Sequence, residues 1–331
     1  MPVYNSELYV REAIQSVLEQ TCTSFELVIV DDGSTDGSVD AVNSVRDDRI
    51  RLIEKPVNSG LAAARNTALE EAQGNYIAWL DSDDRARSSR LETQVDFLER
   101  HPDVGLCGGW VETFGQGRRH RWQYPTESTT LKCRMIFDDP FATSSVMLRR
   151  EALDGIGGHF DMAFPPAEDY ELWDRIGQEW ELANIDSVLV DYRVHDNQTS
   201  VLHSVDQMDA VWRIQQRHLN RLEISASEEE KQTHLRVGIG WGREGNLQFV
   251  QDVERWLAKV LEANEALGVY PVAAFRQVIA ERWWYACLGA ASAGRGTWTR
   301  FRTSRLLHSA RVSPLQRGKL ALKCSMARIS A

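Results

Sequence analysis

Closely spaced aspartates in the first hundred residues are the side chains best suited to chemistry. Asp31-Asp32 follows one apolar run, and Asp81-Ser82-Asp83-Asp84 follows another. Carboxylates in such positions can accept hydrogen bonds from a base or ribose, and they can hold a divalent cation that neutralises a pyrophosphate. Because Mg²⁺ or Mn²⁺ binds phosphates with one or two protein carboxylates, an Asp-x-Asp pair suffices when the ligand is a nucleoside diphosphate.

The apolar runs before these aspartates predict strands that are buried on both faces. The runs are FELVIV at 25–30 and YIAWL at 76–80, with IRLI at 50–53 as a weaker third. Ligands of an open α/β sheet settle beyond the carboxyl ends of its strands, so both groups of aspartates are expected in one crevice. Acidic pairs are also common in ordinary turns and helix caps. The interpretation as a ligand site therefore depends on the position of these aspartates directly after buried strands.

Amphipathic patterns between these runs predict helices that connect the strands. The patterns cover 7–20, 61–73 and a segment that begins near Ser89. Leu8 falls on the apolar stripe of the first helix, and Ser89 and Glu92 have capping-box spacing at the start of the third. This strand-helix-strand rhythm is typical of a parallel sheet flanked by helices.

Strand signals continue to about residue 200 and then give way to helical patterns. Further strands are predicted at 104–114, 143–149 and 184–193. A short helix is predicted near 168–177, and Ser313-Pro314 opens the last helix. We therefore predict an α/β domain over 1–203 and an α-helical C-terminal region with a basic tail over 204–331.

Several motifs in a fixed order are more specific than any one of them. They are Pro2-Val3-Tyr4-Asn5, Val30-Asp31-Asp32-Gly33-Ser34-Thr35-Asp36, Asn58-Ser59-Gly60, Ala64-Arg65-Asn66, Leu80-Asp81-Ser82-Asp83-Asp84, Gly157-Gly158-His159-Phe160-Asp161, Glu168-Asp169-Tyr170-Glu171-Leu172-Trp173-Asp174-Arg175 and Tyr192-Arg193-Val194-His195. This order resembles the family 2 glycosyltransferases of the GT-A fold. The resemblance implies a mixed, mainly parallel sheet flanked by helices. It also implies an inverting transfer from a nucleoside diphosphate sugar to an acceptor hydroxyl.

The resemblance also implies which residues bind the donor. It assigns the base and ribose to Pro2, Tyr4, Asp32 and Asp81, and it places Arg65 near the phosphates, where a guanidinium suits phosphate oxygens. Taken alone, Tyr4 would be interpreted as a core tyrosine and Arg65 as a member of a surface ion pair.

A metal site follows from the same resemblance. Asp83 is expected to hold Mg²⁺ or Mn²⁺, with His195 as a second ligand, although a lone histidine is more often structural. Asn197, Gln198 and Ser200 are expected to lie in a polar segment that closes over the donor.

Asp169 is the candidate catalytic base. In an inverting transfer the acceptor hydroxyl loses its proton while it attacks the anomeric carbon, so a carboxylate near the acceptor is needed. Glu168-Asp169 stands at the start of a predicted helix that Leu172 and Trp173 anchor in the core. The structural alternative is that acidic residues at a helix N-terminus stabilise the helix without any catalysis.

The chain departs from the family at its start. The family has a hydrophobic strand immediately before the motif Pro2-Val3-Tyr4-Asn5, and this sequence begins inside that motif. We therefore expect the first strand to be missing and Met1 to be an internal residue of a longer natural chain. An extension of about ten residues rich in Val and Ile is expected to raise stability and activity.

Composition narrows the class of protein. The 331 residues are 43% hydrophobic and 26% charged, which is ordinary for a globular protein. The five cysteines are odd in number and form no Cys-x-x-Cys pair, which argues against a disulfide framework or a zinc site and favours the cytoplasm. No apolar stretch of about 18 residues and no signal segment occur, so we expect a soluble or peripheral protein.

Charge is distributed unevenly along the chain. Residues 282–331 carry ten Arg or Lys and no Asp or Glu, whereas residues 1–281 have a balance of −20. The basic end predicts contact with an anionic partner such as lipid headgroups at the inner face of the membrane, a lipid-linked phosphate or the protein's own acidic surface. A solvated helix face explains it equally well. The expected partners are a nucleoside diphosphate sugar and a saccharide or lipid-linked acceptor, with no nucleic acid.

Two other functions share part of this pattern. A metal-dependent nucleotidyltransferase also uses carboxylates at strand ends, but it needs a basic phosphate loop, and residues 1–24 offer only Arg11. A binding module that keeps the fold and has lost turnover is the second alternative. Cell-surface polysaccharide or glycolipid assembly is the process that the family resemblance favours.

Overall fold

A computed structural model describes residues 1–196, 204–238, 246–307 and 312–326. The chain divides into two compact units. The first contains 1–128 and 140–211, and the second contains 129–139 and 212–331. The sequence prediction placed a single boundary near residue 203, whereas the short segment 129–139 groups with the helical part of the chain.

The first unit begins with three parallel strands joined by helices. The strands are β1 (Pro2–Val3), β2 (Leu27–Asp31) and β3 (Ile50–Glu54), and the helices are α1 (Val10–Leu18), α2 (Ser38–Asn43) and α3 (Leu61–Glu71). The order is β1-β2-β3, and Val30 pairs with Pro2 on one side and with Ile53 on the other. All five residues of β2 are buried, as its unbroken apolar run predicts.

We expected the first strand to be missing, and the structure has at this place a strand of two residues, β1. Pro2 and Val3 pair with β2, and Met1 O accepts a hydrogen bond from Val30 N at 3.0 Å. Strand β4 (Tyr76–Ala78) pairs with a different strand and belongs to a separate sheet. The expected gain in stability from added upstream residues stays a prediction.

The second sheet of this unit has six strands in the order β4-β8-β6-β9-β5, with β7 beside β6. Its other strands are β5 (Arg85–Ala86), β6 (Val104–Gly115), β7 (Arg121–Trp122), β8 (Met147–Arg149) and β9 (Glu181–Val194). Strands β6 and β9 pair in parallel along most of their length, and with the parallel strands β1, β2 and β3 they give the mixed, mainly parallel pairing that was expected. The short strands β4, β5, β7 and β8 pair with their neighbours in antiparallel orientation, as short strands of many mixed sheets do.

Helices α4 (Arg90–Arg100), α6 (Arg150–Asp154) and α7 (Glu168–Glu179) complete the first unit. Two details of the predicted helices are wrong. Leu8 lies before α1 and is 78% exposed. Ser89 precedes α4 without a side-chain cap, because Glu92 accepts a hydrogen bond from Thr21 Oγ1 at 2.6 Å instead of closing a capping box.

Helix α4 carries a buried cation that braces the end of β4. Arg90 Nη2 donates to Trp79 O at 2.8 Å and to Val146 O at 3.1 Å. Gln94, one turn later, donates to Ser145 O at 2.9 Å. Burial lowers the pKa of Arg90 to about 10. These bonds join the two backbone segments that lead into Asp81 and out of Ser145.

The second unit is helical. Helix α5 (Ser128–Arg134) leads into it, and α8 (Ser204–Arg221) belongs to it from residue 212 onward. The other helices of the unit are α9 (Glu228–Gly238), α10 (Leu247–Leu267), α11 (Val272–Gly289), α12 (Arg295–Thr303) and α13 (Pro314–Met326). Ser313 caps α13 as predicted, since its Oγ accepts from Gln316 N at 3.2 Å. Within the described ranges no helix is long and apolar enough to cross a membrane.

Candidate active site

The loop after β1 is tied to two other loops at the ends of the strands. Asn5 Oδ1 accepts a hydrogen bond from Thr35 N at 2.9 Å, beyond the end of β2. Ser6 Oγ lies 2.7 Å from Ser82 Oγ, beyond the end of β4. Tyr4, in the same loop, remains 47% exposed. The three loops therefore meet on one side of the sheets, as the strand-end rule predicts.

Asp32 fixes the chain that leads into α3. Its buried carboxylate accepts from Gly60 N and from Ser59 Oγ, each at 2.8 Å, and Lys55 Nζ lies 3.0 Å from its Oδ1. Burial alone would raise the pKa of Asp32, but the hydrogen bonds from Lys55, Ser59 and Gly60 outweigh burial and lower it. The carboxylate that the resemblance assigns to the nucleoside thus also holds the start of α3.

The segment Asp81–Asp84 bends away from the end of β4. Asp81 N donates to Ser144 Oγ at 3.1 Å, and Asp84 N donates to Asp81 O at 3.2 Å. The Asp84 carboxylate is buried and accepts from Arg193 N at 2.8 Å. Hydrogen bonds to Ser144 and Arg193 therefore hold the backbone of this segment at Asp81 and the carboxylate of Asp84.

Crowding of like charges is the main electrostatic feature of this turn. The pKa of Asp83 is raised, first by burial and second by the negative charge of Asp81, although His195 opposes the rise. The pKa of Asp84 is raised well above its ordinary value by burial and by the charges of Asp83 and Asp81. A nearby positive charge would relieve this repulsion and favour the ionised forms.

Arg65 is the buried cation of the site. Its Nη2 lies 3.3 Å from Asp81 Oδ1, and its Nη1 donates to Glu168 Oε1 at 2.9 Å. Burial would lower the pKa of Arg65, but the charges of Asp81 and Glu168 outweigh burial and raise it. One guanidinium therefore joins α3, the turn after β4 and the N-terminus of α7. The surface ion pair that was the alternative for Arg65 is wrong, since the residue is 3% exposed.

Asp169 occupies the first turn of α7. Its carboxylate accepts a hydrogen bond from the Thr143 hydroxyl and from Tyr170 N, the latter at 2.8 Å. Its neighbour Glu168 is buried, and burial raises the pKa of Glu168 even though Arg65 opposes the rise. Asp169 is thus held by a hydroxyl from the turn before β8 and stands beside the Arg65 ion pair.

Asp83 and His195 face each other across the strand ends. His195 Nε2 is 2.9 Å from Asp83 Oδ2, and the histidine ring lies 4.9 Å from the ring of Tyr9. The structure therefore brings the two predicted metal ligands together. It also joins Arg65 to Asp81, while Asp32 faces the loop before α3.

Asp83 and His195 fit a divalent cation. A carboxylate oxygen and an imidazole nitrogen are ligand types that Mg²⁺ or Mn²⁺ accepts, and here these two atoms lie 2.9 Å apart as hydrogen-bond partners. Among the described residues no cluster of three or more such side chains could hold a metal by itself. Phosphate oxygens of a donor would therefore have to complete the coordination, as is usual for Mg²⁺.

Several residues of this site were not singled out in the sequence. Ser144 orients Asp81, Thr143 orients Asp169 and Arg90 supports the backbone before Asp81. The polar triplet Thr143-Ser144-Ser145 directly before an apolar strand is the signal that could have indicated the first two. Asn197, Gln198 and Ser200, expected to close over the donor, lie outside the described residues.

Proteins with similar sequences are glycosyltransferases. The family model described as glycosyl transferase family 2 matches residues 1–157. The UDP-Glc:alpha-D-GlcNAc-diphosphoundecaprenol beta-1,3-glucosyltransferase WfgD of Escherichia coli is 30% identical over 201 residues, which are 61% of this chain and 77% of that protein. In seven further curated relatives, the matched share of the relative ranges from 36% to 78%.

Two solved structures show the same fold. TarS of S. aureus in complex with UDP-GlcNAc superposes with a TM-score of 0.58 at 20% identity, covering 86% of this chain and 88% of the other. The mannosyltransferase PcManGT of Pyrobaculum calidifontis in complex with GDP-Man and Mn2+ gives 0.55 at 19% identity, covering 98% and 85%. The fold is therefore of the GT-A type, and the chain is a glycosyltransferase that belongs to glycosyl transferase family 2.

Proposed function

We propose that the protein transfers a sugar, with inversion, from a nucleoside diphosphate sugar to an acceptor hydroxyl, using Asp169 as base. The observation that carries this proposal is the Arg65 guanidinium, which contacts Asp81 and Glu168 at once. Through these contacts Asp81, which is assigned to the donor, lies beside the first turn of α7, which contains the proposed catalytic base Asp169.

Donor binding is assigned to the strand ends of the first unit. Tyr4 has an exposed ring that can stack on a base, and Asp81 is one-third exposed and can accept from a ribose hydroxyl. Pro2 and Asp32 complete this nucleoside site in the proposal. Arg65 forms an ion pair with Asp81 and is suited to the phosphates, provided that it exchanges one carboxylate contact for a phosphate oxygen.

Asp83 and His195 would hold Mg²⁺ or Mn²⁺, which supplies positive charge to the leaving diphosphate when it is bound. The Mn2+ and GDP-Man named for PcManGT, and the UDP-GlcNAc named for TarS, support a metal and a nucleotide sugar. In our proposal His195 and Asp83 orient each other, and Asp81 remains available to the ribose.

The base step is assigned to Asp169. Its carboxylate takes the proton of the acceptor hydroxyl as the oxygen bonds to the anomeric carbon and the diphosphate departs with the bonding electrons. The Thr143 hydroxyl and Tyr170 N hold the carboxylate in place for that transfer. Glu168 stays paired with Arg65 and keeps a second carboxylate away from the acceptor.

The biological setting is also a proposal. The lipid-linked saccharide in the name of WfgD supports a lipid-linked or saccharide acceptor, and hence a role in cell-surface polysaccharide or glycolipid assembly. All five cysteines are free, which supports the cytoplasm. We assign the transfer to residues 1–203, with the helical region 204–331 as an appendage at the inner face of the membrane.

A donor panel tests this function. Calorimetry with UDP-, GDP- and dTDP-sugars, with and without Mn²⁺, should find one donor whose binding requires the metal. Asp83→Ala should lose the metal-dependent part of that binding, while Asp186→Asn, which changes an exposed aspartate of β9, should retain it.

The same panel separates the alternatives. Release of free sugar or of glycosylated acceptor, with the nucleoside diphosphate as coproduct, is the expected result. Binding without any turnover would favour the non-catalytic module, and release of pyrophosphate from a nucleoside triphosphate and a sugar phosphate would favour the nucleotidyltransferase.

A further inference from the structure

The outer face of α13 carries a row of exposed apolar side chains. Leu315 is 83% exposed, Leu322 62% and Met326 57%. At about 100° per residue these three positions fall within about 40° of one another around the helix. Leu320 and Cys324, which are buried, lie on the opposite side. The helix therefore has one apolar face in the core of its unit and a second one in solvent.

Cations border this exposed stripe. Lys319 and Lys323 follow it along one side of the helix, and Arg317 is also exposed. None of the three forms an ion pair within the part of the chain that the structure describes. By contrast, Arg300 and Arg305 of the same unit pair with Glu254 and Glu262. The cations of α13 thus remain available to an external anion.

We infer that this face of α13 is a docking surface for an anionic lipid bilayer. An apolar stripe bordered by lysines suits a helix that lies in the plane of a membrane, with leucines among the acyl chains and ammonium groups at the phosphates. The exposed cations of α13 are complementary in charge to lipid phosphates, and α13 itself contains no Asp or Glu. This inference deepens the proposed location at the membrane and rests on that part of the proposed function.

A second copy of the chain fits the same face less well. Pairing of two α13 helices would cover the leucines, but it would bring four lysines together, and α13 contains no carboxylate to pair with them. A bilayer supplies apolar chains and phosphates at once. The structure therefore favours lipid over self-association.

Vesicle sedimentation with the full chain tests the inference. The protein should bind vesicles made of equal parts of phosphatidylcholine and phosphatidylglycerol, and it should bind phosphatidylcholine vesicles far more weakly. Lys319→Gln with Lys323→Gln should weaken binding about fivefold for each lysine. Leu315→Ser with Leu322→Ser should weaken it at least about tenfold.

Matched controls lie elsewhere in the same unit. Leu267→Ser changes a leucine that is 44% exposed at the end of α10, and Arg255→Gln changes an exposed cation that is paired with Asp252. Both should bind vesicles like the unmodified chain, and all variants should keep its melting temperature because the altered side chains are exposed.

Three results would overturn the inference. They are equal binding to both kinds of vesicle, undiminished binding by both α13 variants, and a concentration-dependent dimer that Leu315→Ser with Leu322→Ser abolishes. The vesicle assay contains no sugar donor, so it is independent of the transfer reaction. A chain that transfers sugar but does not bind vesicles would refute the docking surface alone. A chain that binds vesicles but transfers no sugar would refute the proposed reaction alone.

Discussion

Arg65 lies between two carboxylates, at 2.9 Å from Glu168 Oε1 and 3.3 Å from Asp81 Oδ1. A buried charge that has lost its partner costs far more than an exposed one, because water no longer solvates it. Glu168 is 1% exposed and Arg65 is 3% exposed, so water cannot solvate either charge fully and each requires an ion of opposite sign. The pair is therefore important for stability as well as for the position of the α7 N-terminus.

Replacement of Arg65 should test both roles. Arg65→Met should lower the free energy of unfolding by about 3–5 kcal/mol, because it leaves Glu168 buried without a cation. Arg65→Lys should retain more stability but bind donor more weakly, since an ammonium cannot reproduce the two directed contacts. Chemical denaturation and donor calorimetry measure the two effects.

Arg100→Lys is the control, because Arg100 forms an exposed pair with Asp96 and should give wild-type values. An Arg65→Met protein as stable as the unmodified chain would contradict the importance of the buried pair.

Gly33 allows the turn after β2 to approach the loop before α3. Its φ is +74°, and a Cβ placed on it would lie 2.7 Å from Asn58 N and 2.7 Å from Val57 C. Both obstacles are backbone atoms, so they cannot move aside as a flexible side chain would. The position therefore requires glycine for its conformation and for its space.

Gly33→Ala should lower the free energy of unfolding by about 2–4 kcal/mol, through the positive φ and the backbone collision together. Gly117→Ala is a matched control, since Gly117 has φ of +85° and no atom within 4 Å of the added Cβ. It should lose only about 1 kcal/mol. Thermal unfolding of the two variants compares them, and equal losses would show that the collision has no cost.

At the scale of elements, the helical unit has a core histidine whose hydrogen bonds suit only its neutral form. His234 Nε2 lies 2.7 Å from Ile136 O, to which it donates, and Trp256 Nε1 donates to His234 Nδ1 at 3.0 Å. A second proton on Nδ1 would oppose the Trp256 N–H. Burial lowers the pKa of His234 to about 3.

This histidine predicts how stability depends on pH. Between pH 6.5 and about 3 the unfolded chain binds a proton at His234 that the folded chain does not bind. Stability contributed by this residue is therefore complete above pH 6.5 and decreases by about 1.4 kcal/mol for each pH unit below it. His234→Gln should reduce that slope in denaturation measured across this range, whereas His159→Gln, at an exposed position, should leave the slope unchanged. An identical slope in His234→Gln would contradict the assignment.

The sequence indicated many of these elements because their patterns are local. The apolar run before Asp31 and the helical pattern that starts at Glu168 are contained within single segments, and β2, β3, α3 and α7 formed where such patterns predict them. Glu92 and Arg90 show what could not be predicted. Glu92 bonds to Thr21, and Arg90 is buried among carbonyls of two distant strands, so only the tertiary structure decides their partners.

The candidate site was predictable to a similar extent. Asp83 and His195 are 112 positions apart in sequence, and only the family resemblance brought them together before the structure did. The contacts of Thr143 with Asp169 and of Ser144 with Asp81 had no such guide. Hydroxyl side chains occur in any loop, and nothing in their spacing indicates which carboxylate or backbone group they will bind.

At the scale of the whole molecule, charge and chemistry are divided along the chain. The first part of the chain is acidic and contains the strand-end carboxylates. The last fifty residues contain ten Arg or Lys and no Asp or Glu. Membership of glycosyl transferase family 2 accounts for the first feature, and the proposed lipid contact of α13 accounts for the second. The two features make separate predictions, so each can fail without the other.

The central claim is that this protein transfers a sugar with Asp169 as its base, and the most direct test is turnover by Asp169→Asn. With the donor that the panel identifies, this variant should bind donor and metal as the unmodified chain does while its kcat falls by about 10²–10⁴-fold. Asp186→Asn should keep its kcat. A kcat for Asp169→Asn equal to that of the unmodified chain would contradict the account.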